Sequence, residues 1–216
     1  MNVAIITGMF LAFFIAVEKA GAHFQLRPDT TRQIVHITSG LITAFLPLLI
    51  SFQEIVALGL IFLPVMFFSK RRNVFVAIHG VERITYGEVY FPLAAAATAF
   101  FFPALMPYMY GILIMGVSDG VASVVGQEIS GRHFKLLSFS SMKSYVGSTA
   151  FFFVTATIGI ILLSACNLQI QDAMVFALAS AGVLTLTEAV LGGGLDNLVL
   201  PLAAGLLFTL GTSCIG

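Results

Sequence analysis

The sequence has no tryptophan, only two cysteines and very little charge, with 9% of its residues Asp, Glu, Lys or Arg. Ordinary soluble domains carry about 25% charged residues, so this shortage excludes a conventional water-soluble fold. Cys166 and Cys214 match no metal spacing and no disulfide framework, and both read as small apolar residues. Lys plus Arg and Asp plus Glu balance at 10 each, which gives no electrostatic reason for a nucleic-acid partner. Neither GxxxxGK[ST] nor GxGxxG occurs, so the two common nucleotide cradles are missing as well. What fills the chain instead is hydrocarbon: 59% of the 216 residues are hydrophobic and the mean hydropathy is +1.04.

A bilayer core takes about 17–25 apolar residues per helix. Apolar runs and their breakers give eight predicted spans, near 2–17, 34–52, 54–69, 89–105, 108–127, 146–165, 172–189 and 197–214. The first lacks a basic leader, and Glu18 and Lys19 precede the small-residue stretch Ala20–Ala22, so it reads as a retained helix rather than a signal peptide. All ten cations fall after spans one, three and five: Lys19, Arg27 and Arg32, then Lys70, Arg71, Arg72 and Arg83, then Arg132, Lys135 and Lys143. Cytoplasmic loops are enriched in Lys and Arg. The expectation is therefore an all-α, polytopic helical bundle with odd-numbered connections in the cytoplasm and both termini on the non-cytoplasmic side. Residues 1–216 form one membrane-embedded domain. Most acidic residues gather on the same side, Glu82, Glu88, Glu188 and Asp196 among them. Chemistry concentrated at one face points to a multi-pass integral membrane protein with a site facing the cytoplasm.

The stretch "GVSDGVASVVG" (Gly116–Gly126) puts Asp119 at the end of an apolar run, where a charge costs about 2.5–3.5 kcal/mol. Helical spacing places Gly116, Asp119, Gly120 and Ser123 on one face. A plain reading is a tight helix–helix seam with an ion pair. "GQEISGRHFK" and "SSMKSYVGS" follow, and glycines that admit a ligand beside Arg132, Lys135 and Lys143 suit phosphate oxygens. An Asp beside such a loop suits a nucleotide carrying Mg²⁺, which takes one or two carboxylates plus phosphate oxygens.

Four blocks in order, across roughly residues 18–205, resemble the polyprenol kinase family of dolichol, phytol and related lipid alcohol kinases, which is distantly similar to the phosphatidate cytidylyltransferases. They are "RQIVHITSG" (Arg32–Gly40), "RITYGEVYFPLA" (Arg83–Ala94), "GVSDGVASVVGQEISGRHFK…KSYVGS", and "EAVLGGGLDNLVLPL" (Glu188–Leu202). The resemblance implies CTP-dependent phosphorylation of a membrane-held isoprenoid alcohol, with CTP, the lipid alcohol and bilayer lipids as partners and Mg²⁺ as cofactor. It implies Asp119 and Asp196 as metal ligands, with Glu188 completing the carboxylate cluster. Gly120, Ser123, Gly126, Arg132, Lys135, Lys143, Ser144, Gly147 and Asn197 would bind the nucleotide. Asp119, His36 and Glu88 are the candidates to receive the hydroxyl proton. Two positions depart from the family pattern: Gln33 replaces a lysine and Val146 a glutamate. A cytidylyltransferase making a CDP-lipid and a small lipid or metabolite transporter are the competing functions. The first lacks its D-R-x-D arrangement here, and the second calls for ionisable residues at mid-membrane on several spans.

Overall fold

The computed structural model describes residues 3–72, 74, 86–129, 131–137 and 140–215; Glu82 and Arg83 of the second cation-bearing connection lie outside them. Helix α1 is Val3–His23, α2 Pro28–Phe45, α3 Phe52–Arg71, α4 Gly87–Phe101, α5 Leu105–Leu113 and α6 Asp119–Glu128. Then come α7 Tyr145–Ala165, α8 Ile170–Val190 and α9 Asp196–Ile215. A π-helical turn, Ile114–Ser118, fuses α5 and α6 into one rod. Among the described residues, the only departure from an all-helical fold is a ribbon of two short antiparallel strands. In it β1, His133–Phe134, pairs with β2, Lys143–Ser144.

The breaks are chemically explicit. Proline suits the first turn of a helix because its missing N–H would have no partner there, and Pro28 opens α2. At the tight turn before α3, Ser51 Oγ accepts from the Glu54 N–H at 3.3 Å while a Glu54 carboxylate oxygen accepts from the Ser51 N–H at 2.8 Å. That reciprocal cap starts the helix where the chain reverses.

Six segments are long and apolar enough to cross a membrane: α1, α3, the α5–α6 rod, α7, α8 and α9. The other two predicted spans fall short for different reasons. Helix α4 has 15 residues, about 22 Å of helix against a hydrocarbon core of about 30 Å. Helix α2 carries Asp29, Arg32, Gln33 and His36. Its polarity is turned inward, however: Thr31, Gln33, Ser39 and Thr43 are buried, while Ile34, Leu41, Ile42 and Phe45 are exposed. A helix on the surface of a water-soluble protein does the reverse. The same inversion runs round the bundle, with Phe100, Phe153 and Val175 each more than 60% exposed. Lipid tails are as apolar as these side chains, so this exterior needs no further cover in a bilayer.

The α5–α6 rod forms the centre. Its span is 61% buried, against 17% for α1, and Tyr108, Ile112, Ile114 and Met115 are fully enclosed. Glycine permits the closest crossings. A Cβ on Gly116 would lie 2.6 Å from the Gly40 backbone of α2, and one on Gly111 would lie 2.5 Å from the Pro201 carbonyl of α9. Along the same α2 contact, Gly120 faces Ile37 and the Gln33 amide donates to Ser123 Oγ at 3.3 Å. The face predicted from spacing is thus the face the rod lays antiparallel on α2.

Candidate active site

The π turn shapes the site around Asp119. In an α-helix the residue-119 N–H would bond to the carbonyl of Met115; here it reaches back to Ile114. The Met115 carbonyl instead takes a hydrogen bond from His36 Nε2 at 2.9 Å. A carbonyl only accepts, so Nε2 carries a proton. The same nitrogen stands 3.7 Å from Asp119 Oδ2, which makes the pair a proton-bearing imidazole facing a carboxylate. π turns recur at functional sites because they redirect backbone groups in this way.

Opposite lies a lysine set among carboxylates. Lys143 donates to Glu188 and, at 3.4 Å, to Asp196 Oδ2. Several features of the chain hold it there. Phe134 pairs with Lys143 across the ribbon, and Ser144 caps α7 by accepting from the Gly147 N–H at 3.0 Å. Asp196 begins α9 after Gly193 and Gly194, whose φ of +66° and +91° lie where a side chain would be strained. Burial disfavours the Lys143 charge, but Asp196, Asp119 and Glu188 outweigh it and hold its pKa above the usual lysine range. The second Glu188 oxygen, Oε2, is buried without a hydrogen-bond partner among the described residues.

These groups enclose a polar chamber of about 560 Å³. Among the predicted site residues it is lined by His36, Asp119, Gly120, Ser123, Gly126, Lys143, Ser144, Glu188, Asp196 and Asn197. Gly147 sits just behind, where a Cβ would lie 2.9 Å from Ser144 Oγ. Arg132 and Lys135 are exposed and line no part of it. Glu88 is also outside: it pairs with Lys70, whose ammonium lies 5.0 Å over the Tyr86 ring. Gln33 lines the chamber, so that departure puts a neutral amide where the family pattern has a cation. Val146 faces Gly131 instead, and its loss of charge falls off the chamber wall.

A second cavity, an apolar slot of about 100 Å³, runs between α1, α2, α3 and α4. Phe10, Phe14, Phe62 and Met66 form one side, and Glu88 stands at its lip. Arg32, His36 and Asn197 line slot and chamber alike. Arg32 read in the sequence as a topology charge, yet its Nε, beside both cavities, is buried without a hydrogen-bond partner among the described residues. The available signal was its spacing: four residues before His36, it shares that helix face. Asn197 lies four residues before Pro201, so its carbonyl lacks the usual intrahelical donor.

Among the described residues, no three His, Cys, Asp or Glu side chains are grouped to hold a metal ion by themselves. Fold and site together define a polytopic helical membrane protein with a lysine–carboxylate chamber that shares three lining residues with an apolar slot. The chain is 28% identical over 187 residues to the phytol kinase of Synechocystis sp., a match that covers 83% of this chain and 78% of that protein. This likeness supports its assignment to the polyprenol and phytol kinase family. No family model matches the chain, and no solved structure gives a significant match.

Proposed function

We propose that the protein is a lipid alcohol kinase, transferring the terminal phosphoryl group of CTP to the hydroxyl of a phytol- or polyprenol-like alcohol held in the bilayer. The observation that carries this reading is that Arg32, His36 and Asn197 line both the polar chamber and the apolar slot. A substrate that is a hydroxyl on a hydrocarbon tail needs such a junction, with polar chemistry on one side and an apolar seat on the other. Similarity to a phytol kinase supports the same substrate class.

In this reading the alcohol oxygen bonds to the γ-phosphorus as the bond from phosphorus to the β–γ bridging oxygen breaks. CDP leaves with that electron pair. Such transfers depend on positioning and charge neutralisation more than on covalent help. Lys143 and Arg32 supply positive charge to the phosphates. Glu88 is engaged by Lys70, and His36 Nε2 already bears a proton, so we assign the hydroxyl proton to Asp119. The donor set fits Mg²⁺ arriving with the nucleotide rather than a resident protein cage. Glu188 Oε2 and Asp196 are its best-placed ligands, and the ion would neutralise phosphate charge. We also place all eight helical rods in the bilayer with the chamber on the cytoplasmic side, following the ten cations.

Purified full-length protein in nanodiscs, given phytol and either CTP or ATP labelled on the γ-phosphate, tests this. Labelled lipid monophosphate formed from CTP, with release of CDP, is the expected result. Incorporation of an α-label, with pyrophosphate released, would make the protein a cytidylyltransferase. Transfer to no alcohol from either donor would overturn the kinase reading.

A further inference from the structure

We propose that the apolar slot seats only the first few carbons behind the substrate hydroxyl, so the enzyme selects its alcohol by branching beside the hydroxyl and not by chain length. The inference rests on the kinase reading and concerns what that reading leaves open, namely which alcohol. Volume decides the first part. The slot holds about 100 Å³, less than the roughly 150 Å³ dry cavity that accepts a single benzene, so a long isoprenoid tail does not fit inside.

Its far end is closed as well. Leu46 and Ile55, on the side away from the chamber, are 2% and 1% exposed. The remaining tail leaves sideways past α1, the least buried of the candidate spans and the slot wall nearest the lipid. Beyond that wall the chain lies in lipid, where an added methylene meets nothing the protein can distinguish.

Within the slot the walls are shaped. Phe62 packs edge-on against Phe10 and Phe14 at 5.7 and 6.1 Å, and His36 at the junction packs edge-on against Phe91 at 5.6 Å. Interlocked rings leave few ways to rearrange, so a methyl branch either finds its place or does not. One methyl or methylene in such a pocket changes kcat/KM by roughly 10–200-fold.

The test uses full-length protein in nanodiscs with CTP and three alcohols at equal mole fraction in the bilayer. Phytol is the reference. Geraniol keeps its first branched allylic unit at half the carbon count, and (E)-2-eicosen-1-ol keeps the carbon count and the allylic double bond without branches. Phytol and geraniol are expected to agree within about threefold in kcat/KM, with (E)-2-eicosen-1-ol at least about tenfold worse. Phe62→Leu should shrink the branched-over-straight ratio at least threefold while directly measured CTP binding stays at the wild-type value. Phe14→Leu serves if that variant does not fold. A ranking by length, or an unchanged ratio in a variant that still binds CTP, overturns the slot assignment and leaves the kinase reading intact. Phosphorylation of none of the three overturns both.

Discussion

The chamber, about 560 Å³, is walled by carboxylates, a lysine and glycine-bearing turns, whereas the slot, about 100 Å³, is walled by phenylalanines and aliphatic side chains. The chamber draws on seven elements far apart in sequence: α2, α4, α6, β1, β2, α8 and α9. The slot is formed by periodic faces of α1 to α4. The difference teaches how a membrane enzyme can divide its labour. Charge is gathered at helix ends, where loops and caps can aim it, and shape discrimination is left to helix interiors, where packing is stiff.

Mutations should separate the two. Asp119→Asn is expected to cut phosphoryl transfer about 10³-fold, within the usual range for a proton-transfer group. It should leave folding in detergent and the ratio of phytol to (E)-2-eicosen-1-ol unchanged; wild-type turnover would remove Asp119 from the chemistry. Lys143→Met should cost about 10²-fold in turnover. It should also lower Tm, because Glu188 and Asp196 lose the cation between them, a loss of about 3–5 kcal/mol for a buried pair.

The pH dependence of that cation has a definite sign. Its pKa is raised in the folded protein, so its stabilisation is complete below the ordinary lysine range and is lost only as pH rises through the elevated value. Lys143 alone should therefore impose no fall in CTP binding between neutral pH and about pH 10, as a titration of nucleotide binding would reveal. Gly116→Ala should destabilise by about 1–3 kcal/mol, because its methyl meets Gly40; thermal unfolding in detergent reads this directly. Arg132→Gln, at an exposed position off the chamber wall, should alter transfer less than about twofold. A larger loss would extend the chamber over the ribbon.

Much of the frame was legible in the sequence. Each of the eight apolar runs corresponds to one helical rod, and the Gly116–Asp119–Gly120–Ser123 face meets α2 as spacing required. Helix α2 begins six residues earlier than its apolar run, since hydropathy cannot see a helix whose first turns are polar. Site membership was harder to read. Lys70 and Glu88 pair across 18 residues, and nothing local in either segment announces the other. Lys143 stands out in the sequence as the preferred phosphate ligand while Arg132 and Lys135 divide between site and topology charge, and of the three only Lys143 lines the chamber, held by strand pairing and the α7 cap. Arg32 was hidden for the opposite reason, because the charge that orients a topology also stands at a cavity junction.

The wide turn at 114–118 was invisible too, since no residue type demands it. Its consequence is a constraint on chain length. Removing one residue there would leave the hydropathy profile almost unchanged and restore a regular helix. With a residue between Met115 and Asp119 removed, the amide of residue 119 would keep the Ile114 carbonyl as an ordinary helical bond. The amide of Gly120 would come onto the Met115 carbonyl now held by His36, so the imidazole would lose the partner that fixes its proton. In this part of the chain a one-residue deletion should therefore do more harm than most substitutions, although it removes no side chain from the chamber.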